Sequence, residues 1–573
     1  MSDNAKMSRR EMLAALEAGL VSTQAGHDDP APPNGDPSAA ITLGIDASKP
    51  LGVLKPIWRF FGCDEPNYAT MPNGEALLGE LGALSRGNVY FRTHNLLTTG
   101  DGKPSLKWGS TNAYTEDASG NPVYDWTIVD AIFDAGLKRG VKPYVQIGFM
   151  PEAMSTHPEP YRHRWHPGAK YEEIYTGWAY PPKDYAKWAE LVYQWTKHCV
   201  DKYGVAEVES WYWQAWNEPN SGYWRGTRDE YFKLYDYSVD AVRRALPTAR
   251  VGGPETAEGP GGTHLRAFLE HCARGTNHVT GKVGSPLDFV SFHAKGAPTF
   301  VDGHVRMGIA AELKTTDDAF AVIASFPEFA HLPIVIGEAD PDGCAACQGP
   351  SLGYRNGPLY GSYTAASFAR LHELAEKRSV NVEGALTWAF EFENEPIFAG
   401  FRQLASSGID LPVLHVFRMF SKMAGNRLAV SMPSQSTVEE VTLSGVRGDA
   451  DISALASIDT RRIYVLAWHY HDDDVPGLSA TATIAIDNVP WSDSLLRVTQ
   501  YLVDAAHGNA FADWQAMGSP QPPDAAQMRR LAEASQLSVR TLPKAPVHNR
   551  RVSVDLVLAR QSVALLVFER MPQ

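Results

Sequence analysis

The chain has 573 residues, 44% hydrophobic and 21% charged, an ordinary globular mix that excludes a peptide, a disulfide mini-protein and a wholly disordered polymer. Lysine plus arginine (52) against aspartate plus glutamate (66) leaves a net charge of −14, so there is no overall positive field to gather phosphates and nucleic acid is not an expected partner. No run of about 18 apolar residues occurs, so a membrane-spanning helix is not expected, and five scattered cysteines do not make a disulfide framework.

At the N-terminus, Ser8-Arg9-Arg10-Glu11-Met12-Leu13 resembles a twin-arginine export signal, but Glu17 interrupts the apolar segment and a frayed amphipathic arm is an equal reading. Location, periplasmic or cytoplasmic, is left open. The Pro/Asp/Gly-rich Asp28 to Ser38 cannot build a packed element, so residues 1–39 read as an arm and order is expected from near Ala40. Residues 40–56 are expected to form a strand that packs on a later β-sandwich.

From Trp58 onward, eight short apolar or β-branched runs alternate with helical patterns. They begin at Trp58, Val89, Pro143, Trp211, Arg250, Phe289, Ile334 and Ala385. Eight such units predict a (β/α)8 barrel over 57–405. One connecting helix is explicit. Thr227-x-x-Glu230 is a capping box, and Tyr231, Leu234, Tyr235, Val239, Val242 and Leu246 then form one apolar face ending before Pro247. Beyond residue 405, alternating short strands predict a β-sandwich over 406–573, with the Gly518 to Pro523 segment and the following helical stretch as a surface connection.

Active sites of such barrels lie at the C-terminal ends of the strands. The fourth run ends in Trp216-Asn217-Glu218-Pro219-Asn220 and the seventh in Gly337-Glu338-Ala339-Asp340-Pro341. Two carboxylates on facing walls suit glycoside cleavage, one protonating the leaving oxygen while the other attacks C1. Asn217 is expected to donate to the sugar 2-hydroxyl, and Trp224, Trp388 and Phe149 either stack on a sugar face or pack the core.

These motifs, with Arg92-Thr93-His94-Asn95, Tyr124-Asp125-Trp126, Gly148-Phe149-Met150-Pro151-Glu152, Ser291-Phe292-His293, Asp504-x-x-His507-Gly508-Asn509 and Trp514-x-x-Met517-Gly518-Ser519-Pro520, resemble glycoside hydrolase family 39 over most of residues 50–570. The resemblance implies a retaining β-D-xylosidase or α-L-iduronidase. It makes Glu218 the acid/base and Glu338 the nucleophile, and has Asn217, His94 and His293 hold the sugar. His293-Ala294-Lys295 and Glu338-Ala339-Asp340-Pro341 are closer to the iduronidase branch. Lys295 then meets a substrate carboxylate, or pairs with Glu391 or Glu393 of an acidic loop facing the site. The second alternative needs no charged sugar, so a neutral pentose is preferred, released from the ends of xylo-oligosaccharides. Iduronosides, arabinosides and a non-catalytic carbohydrate-binding protein are the rivals.

No metal or organic cofactor is expected, since both steps are carboxylate chemistry. Cys344-x-x-Cys347 lacks the partners of a zinc site and reads as two thiols or a local disulfide. His469, His471 and Asp472 to Asp474 read as a solvated strand-end loop. The sequence leaves open whether the chain forms a homo-oligomer.

Overall fold

The computed structural model describes residues 41–571, apart from 86, 433–435, 492 and 493. The export-like motif and the N-terminal arm lie outside the described residues. Eight parallel strands close a barrel: β1 (Phe60–Cys63), β2 (Val89–Thr93), β3 (Val141–Ile147), β4 (Tyr212–Ala215), β5 (Arg250–Thr256), β6 (Phe289–Lys295), β7 (Pro333–Asp340) and β8 (Asn381–Thr387). The ring is sealed where Leu386 of β8 pairs with Phe60 of β1. All eight runs expected from the sequence become barrel strands. The helix opened by the capping box runs Arg228–Ala245, with both reciprocal cap bonds present.

Side chains alternate along each strand, so every second residue points into the barrel. The floor is aromatic: Tyr90, Tyr144, Tyr212 and Phe289 meet around Phe60 with ring centroids 4.9–6.5 Å apart. Two residues further along, Arg92 and Gln214 form a buried polar layer, joined by Arg92 Nε and Nη2 donating to Gln214 Oε1 at 3.2 Å. Two residues beyond that, His94 and His293 reach the mouth. The period-two pattern thus carries the chain from an apolar plug to a charged rim within one strand length.

The eighth barrel helix, Pro412–Phe420, follows residue 405, so the expected boundary falls too early. Phe417 and Phe420 of this helix pack on Phe61, Trp58 and Phe368, which places it firmly on the barrel wall. Among the described residues, six of the other strands pair off as three two-stranded ribbons, and nine more form one sheet folded over a single apolar core. Strand Ile41–Val53 lies inside it, antiparallel to Asn426–Ser431 on one side and parallel to Ala480–Asp487 on the other.

Strand Arg462–Tyr470 is buried on both faces. Ile463, Val465 and Ala467 fill the sandwich core, while Tyr464, Leu466, Trp468 and Tyr470 join the barrel core. Between the two, Arg370 of helix Pro358–Arg378 pairs with Asp451 at 2.8 Å, both fully buried. The Gly518 to Pro523 segment and the helix after it, Ala525–Ala534, form the expected surface connection. Just before it, Phe511 meets Phe398 of the loop after β8 edge-on and Trp514 meets it at a tilt, while Leu531 is the buried residue of the helix.

Ile45 sits in the sandwich core at 2% exposure. Ile45→Ala is expected to cost about 2–5 kcal/mol, read as a lowered urea midpoint. An unchanged midpoint would show that this strand does not hold the sandwich together.

Candidate active site

The turn after β4 builds one wall of the site. Trp216 (φ 69°) and Glu218 (φ 44°) both adopt left-handed backbone, which costs of order 1–3 kcal/mol each and persists only where the surroundings impose it. Here they do: Trp216 N donates to Ile147 O (3.0 Å), Glu218 N to Glu255 O (3.0 Å) and the Trp216 indole to Tyr223 O (3.0 Å). The result turns Asn217 and Glu218 together into the mouth.

The facing wall is β7. A bulge between Ile336 and Glu338 sets Glu338 beside His293 of β6. The residue passed over, Gly337, has to be glycine, because a Cβ there would collide with the Glu255 carboxylate. One oxygen from each of Glu218 and Glu338 and one His293 nitrogen lie within 4.8 Å of one another.

His293 links these groups. Its Nδ1 donates to Glu218 Oε1 at 3.0 Å and stands 3.7 Å from Glu338 Oε1, while Nε2 faces Glu255 Oε2 at 3.1 Å. Burial alone would depress the imidazole, but Glu338, Glu218 and Glu255 outweigh it and raise its pKa to about 9. Burial would likewise push the Glu338 carboxyl up; instead His293, Lys295, Arg92 and His94 hold it well below the usual carboxylate range. The contacts are Lys295 Nζ at 2.6 Å, Arg92 Nη1 at 3.4 Å and His94 Nε2 at 3.8 Å.

Beside the pair lies a narrow cleft of about 10 Å³, lined by Asp64, His94, Lys107, Asn217, Tyr223 and Trp388 among others. Its inner end is closed by an ion cluster. Asp64 accepts from Lys107 Nζ and from the Trp388 indole (2.9 Å), with His94 Nδ1 at 3.1 Å. Asn217 Oδ1 accepts from Arg92 Nη2 at 2.7 Å, which fixes the amide and leaves its buried Nδ2 with no protein acceptor. That N–H group, and the buried His94 Nε2, are hydrogen-bonding capacity a ligand in the pocket would fill.

Of the residues singled out in the sequence, Glu218, Glu338, His94, Asn217 and Trp388 line this pocket, and His293 and Lys295 touch its carboxylates. Two do not belong. Trp224, 4% exposed, is packed edge-on against Trp216 with its indole donating to Thr227 O, so its ring is core. Glu391 accepts from Asn73 Nδ2 (3.1 Å) and Gly408 N (2.7 Å), and burial pushes its carboxyl up to about 7. Lys295 therefore pairs with neither Glu391 nor Glu393. It bonds Glu338 and Asp340, the latter at 2.8 Å, and the argument from an acidic loop facing the site falls.

Phe149 is core as well, wedged among Trp178, Trp216 and Tyr223. The residues 469–474 are not a solvated loop: His469, His471 and Asp472 are buried, the histidines on the carbonyls of Leu558 and Gly448.

Sequence reasoning missed Glu255, Asp64, Lys107 and Asp340 as members of the cluster. Each closes or follows a barrel strand or lies on a mouth loop, which is the signal that marks them. The spacing of Glu218, His293 and Glu338 resembles a metal site, but the donor set does not suit one. The imidazole is held protonated between carboxylates, and Glu338 is already met by Arg92 and Lys295. Cys344 and Cys347 form a disulfide in the loop after β7.

Residues 42–550 match the sequence model of glycosyl hydrolases family 39. The chain is 27% identical over 514 residues to a beta-xylosidase of Geobacillus stearothermophilus, covering 84% of this chain and 86% of that protein. It is 25% identical over 560 residues to the alpha-L-iduronidase of Homo sapiens, covering 92% and 77%. Its fold superposes on a monomeric beta-xylosidase from Caulobacter crescentus CB15 with a TM-score of 0.71 at 21% identity, over 93% of this chain and 100% of that one. The chain belongs to glycosyl hydrolases family 39 and is a glycoside hydrolase.

Proposed function

We propose that the protein is a retaining exo-glycosidase that releases terminal β-D-xylosyl residues by double displacement. The observation that carries the reading is that an oxygen of Glu218 and one of Glu338 lie within 4.8 Å of each other. Retaining enzymes hold their carboxyl groups about 5–5.5 Å apart, whereas inverting enzymes need about 6.5–9.5 Å to admit water between them.

The surroundings divide the roles. Glu338, among four cationic or proton-bearing neighbours, is the anion that attacks C1. The Glu218 side chain is 16% exposed against 5% for Glu338, and so faces the side from which a leaving group departs. It gives its proton to the glycosidic oxygen as the C1–O bond breaks and the C1–Glu338 ester forms. Then it takes a proton from the water that hydrolyses the ester. Asn217 Nδ2 meets the 2-hydroxyl, a contact that strengthens as charge develops on the ring. Arg92 keeps the amide in that orientation.

The closed inner end, Asp64 with Lys107 and Trp388, supports removal of one sugar at a time. A neutral pentose is supported by the pairing of charge. Arg92, Lys107 and Lys295 each already meet a carboxylate, and no unpaired cation faces the pocket among the described residues to receive a uronate. Hydrolysis of β-xylosides with silence on iduronides and arabinosides in a panel of chromogenic glycosides tests this choice; the reverse pattern would overturn it.

Glu338→Gln is expected to abolish turnover with the fold intact by circular dichroism. Glu218→Ala should lose about 10²–10⁴-fold in kcat on poor leaving groups and recover in part with azide. Proton NMR should show β-xylose as the first product; α-xylose first would mean inversion. Lys295→Met removes a cation that favours the Glu338 anion, so that carboxyl's pKa rises. The acid limb of kcat/KM should move to higher pH, and less so for Lys295→Arg; an unmoved limb would mean that Lys295 does not keep Glu338 ionised.

A further inference from the structure

Among the described residues, the catalytic pocket reaches solvent along one side of its lining. Of its lining, Asp64, His94, Lys107, Asn217, Tyr223, Glu338, Ala345 and Trp388 are buried, and the residues that reach solvent are Glu218, Tyr171 and Gly343. Tyr171 and Gly343 are also the near edge of a second, open trough, whose other walls are Pro298, Leu352 and the Cys344–Cys347 disulfide. Whatever is attached to C1 of a sugar in the pocket therefore passes Glu218 and comes to rest in this trough.

Its chemistry is specific. Pro298, Leu352 and the two sulfur atoms offer no strong hydrogen-bonding side-chain group. The Tyr171 hydroxyl is engaged with the Tyr223 hydroxyl at 2.9 Å. The one charged lining residue, Asp342, is consumed beneath the surface. Its carboxylate accepts from Arg355 Nη2 (2.8 Å), Arg402 Nη1 (2.9 Å), Cys344 N (2.8 Å) and the Tyr354 hydroxyl. Arg355 in turn donates to the carbonyls of Cys344, Ala345 and Cys347, so the disulfide loop is held as a fixed wall. A second xylose ring resting there meets no side-chain donor or acceptor on Pro298, Leu352 or the disulfide for its hydroxyls. An apolar group loses nothing and covers sulfur, leucine and proline.

We propose that this trough is the leaving-group site and that it selects xylosides of apolar alcohols, aryl or alkyl, over xylo-oligosaccharides. The inference rests on the xylosidase reading, and it moves the preferred substrate away from the oligosaccharides expected from the sequence.

Three substrates test it: octyl β-D-xyloside, xylobiose and β-D-xylosyl fluoride, whose fluoride seats nothing in the trough. Octyl xyloside should exceed xylobiose in kcat/KM by about tenfold or more, the equivalent of roughly 1.4 kcal/mol. Leu352→Asp should raise KM for octyl xyloside about fivefold or more and leave turnover of the fluoride unchanged. Should that variant not fold, Leu352→Ser is expected to show a smaller change in the same direction. Xylobiose used as well as the octyl glycoside, or an equal loss on the fluoride in the variant, would overturn the proposal. Silence of the unaltered enzyme on the fluoride would instead refute the xylosidase reading beneath it.

Discussion

One imidazole organises this active site. His293 lies between Glu218, Glu255 and Glu338, three carboxylates contributed by β4, β5 and β7, and burial makes their mutual repulsion expensive unless a cation separates them. The ring stays protonated because of the anions, and the nucleophile candidate stays ionised partly because of the ring. Neither state is a property of one residue. Arg92 and Lys295 complete the balance from below and beside, and Asn217 is oriented as a by-product of Arg92 needing an acceptor.

This dependence explains which parts of the site could be read in the primary structure. Glu218 and Glu338 were legible because each ends a recognisable β-run in a turn-forming context, whereas His94 and His293 were reached through the family resemblance. The eight strands were legible because a barrel of this kind shows short apolar runs alternating with helical patterns, a texture that ends where the sandwich strands begin. Glu255 was not legible, since Gly253-Pro254-Glu255-Thr256 reads as a strand end of no special kind until the bulge at Gly337 brings β7 against it. Asp64 and Lys107 are uninformative singly and meaningful only as a pair that the loop after β2 folds together.

The two misplaced residues share a cause. Trp224 and Glu391 have chemistry suited to sugar binding and positions after the right strands, but the long loops of the mouth carry several layers of residues. Trp216 and Tyr223 occupy the layer that Trp224 would need, and Asn73 with the Gly408 amide draws Glu391 away from the mouth. Loop residues follow the packing of their neighbours, and no alternation fixes their direction. The boundary between barrel and sandwich erred similarly, because an eighth helix that starts with Pro412 looks from its sequence like the beginning of something new.

The placement of Ile41–Val53 in the middle of the nine-stranded sheet has a consequence for biogenesis. Both neighbours of this strand are translated only after the eight barrel strands and the helix Pro412–Phe420, so Ile41–Val53 is made before the barrel and waits, with its edges open, for partners that follow it. The barrel can mature as a nascent chain, but the second lobe can close only once the strand Val563–Arg570 has been made.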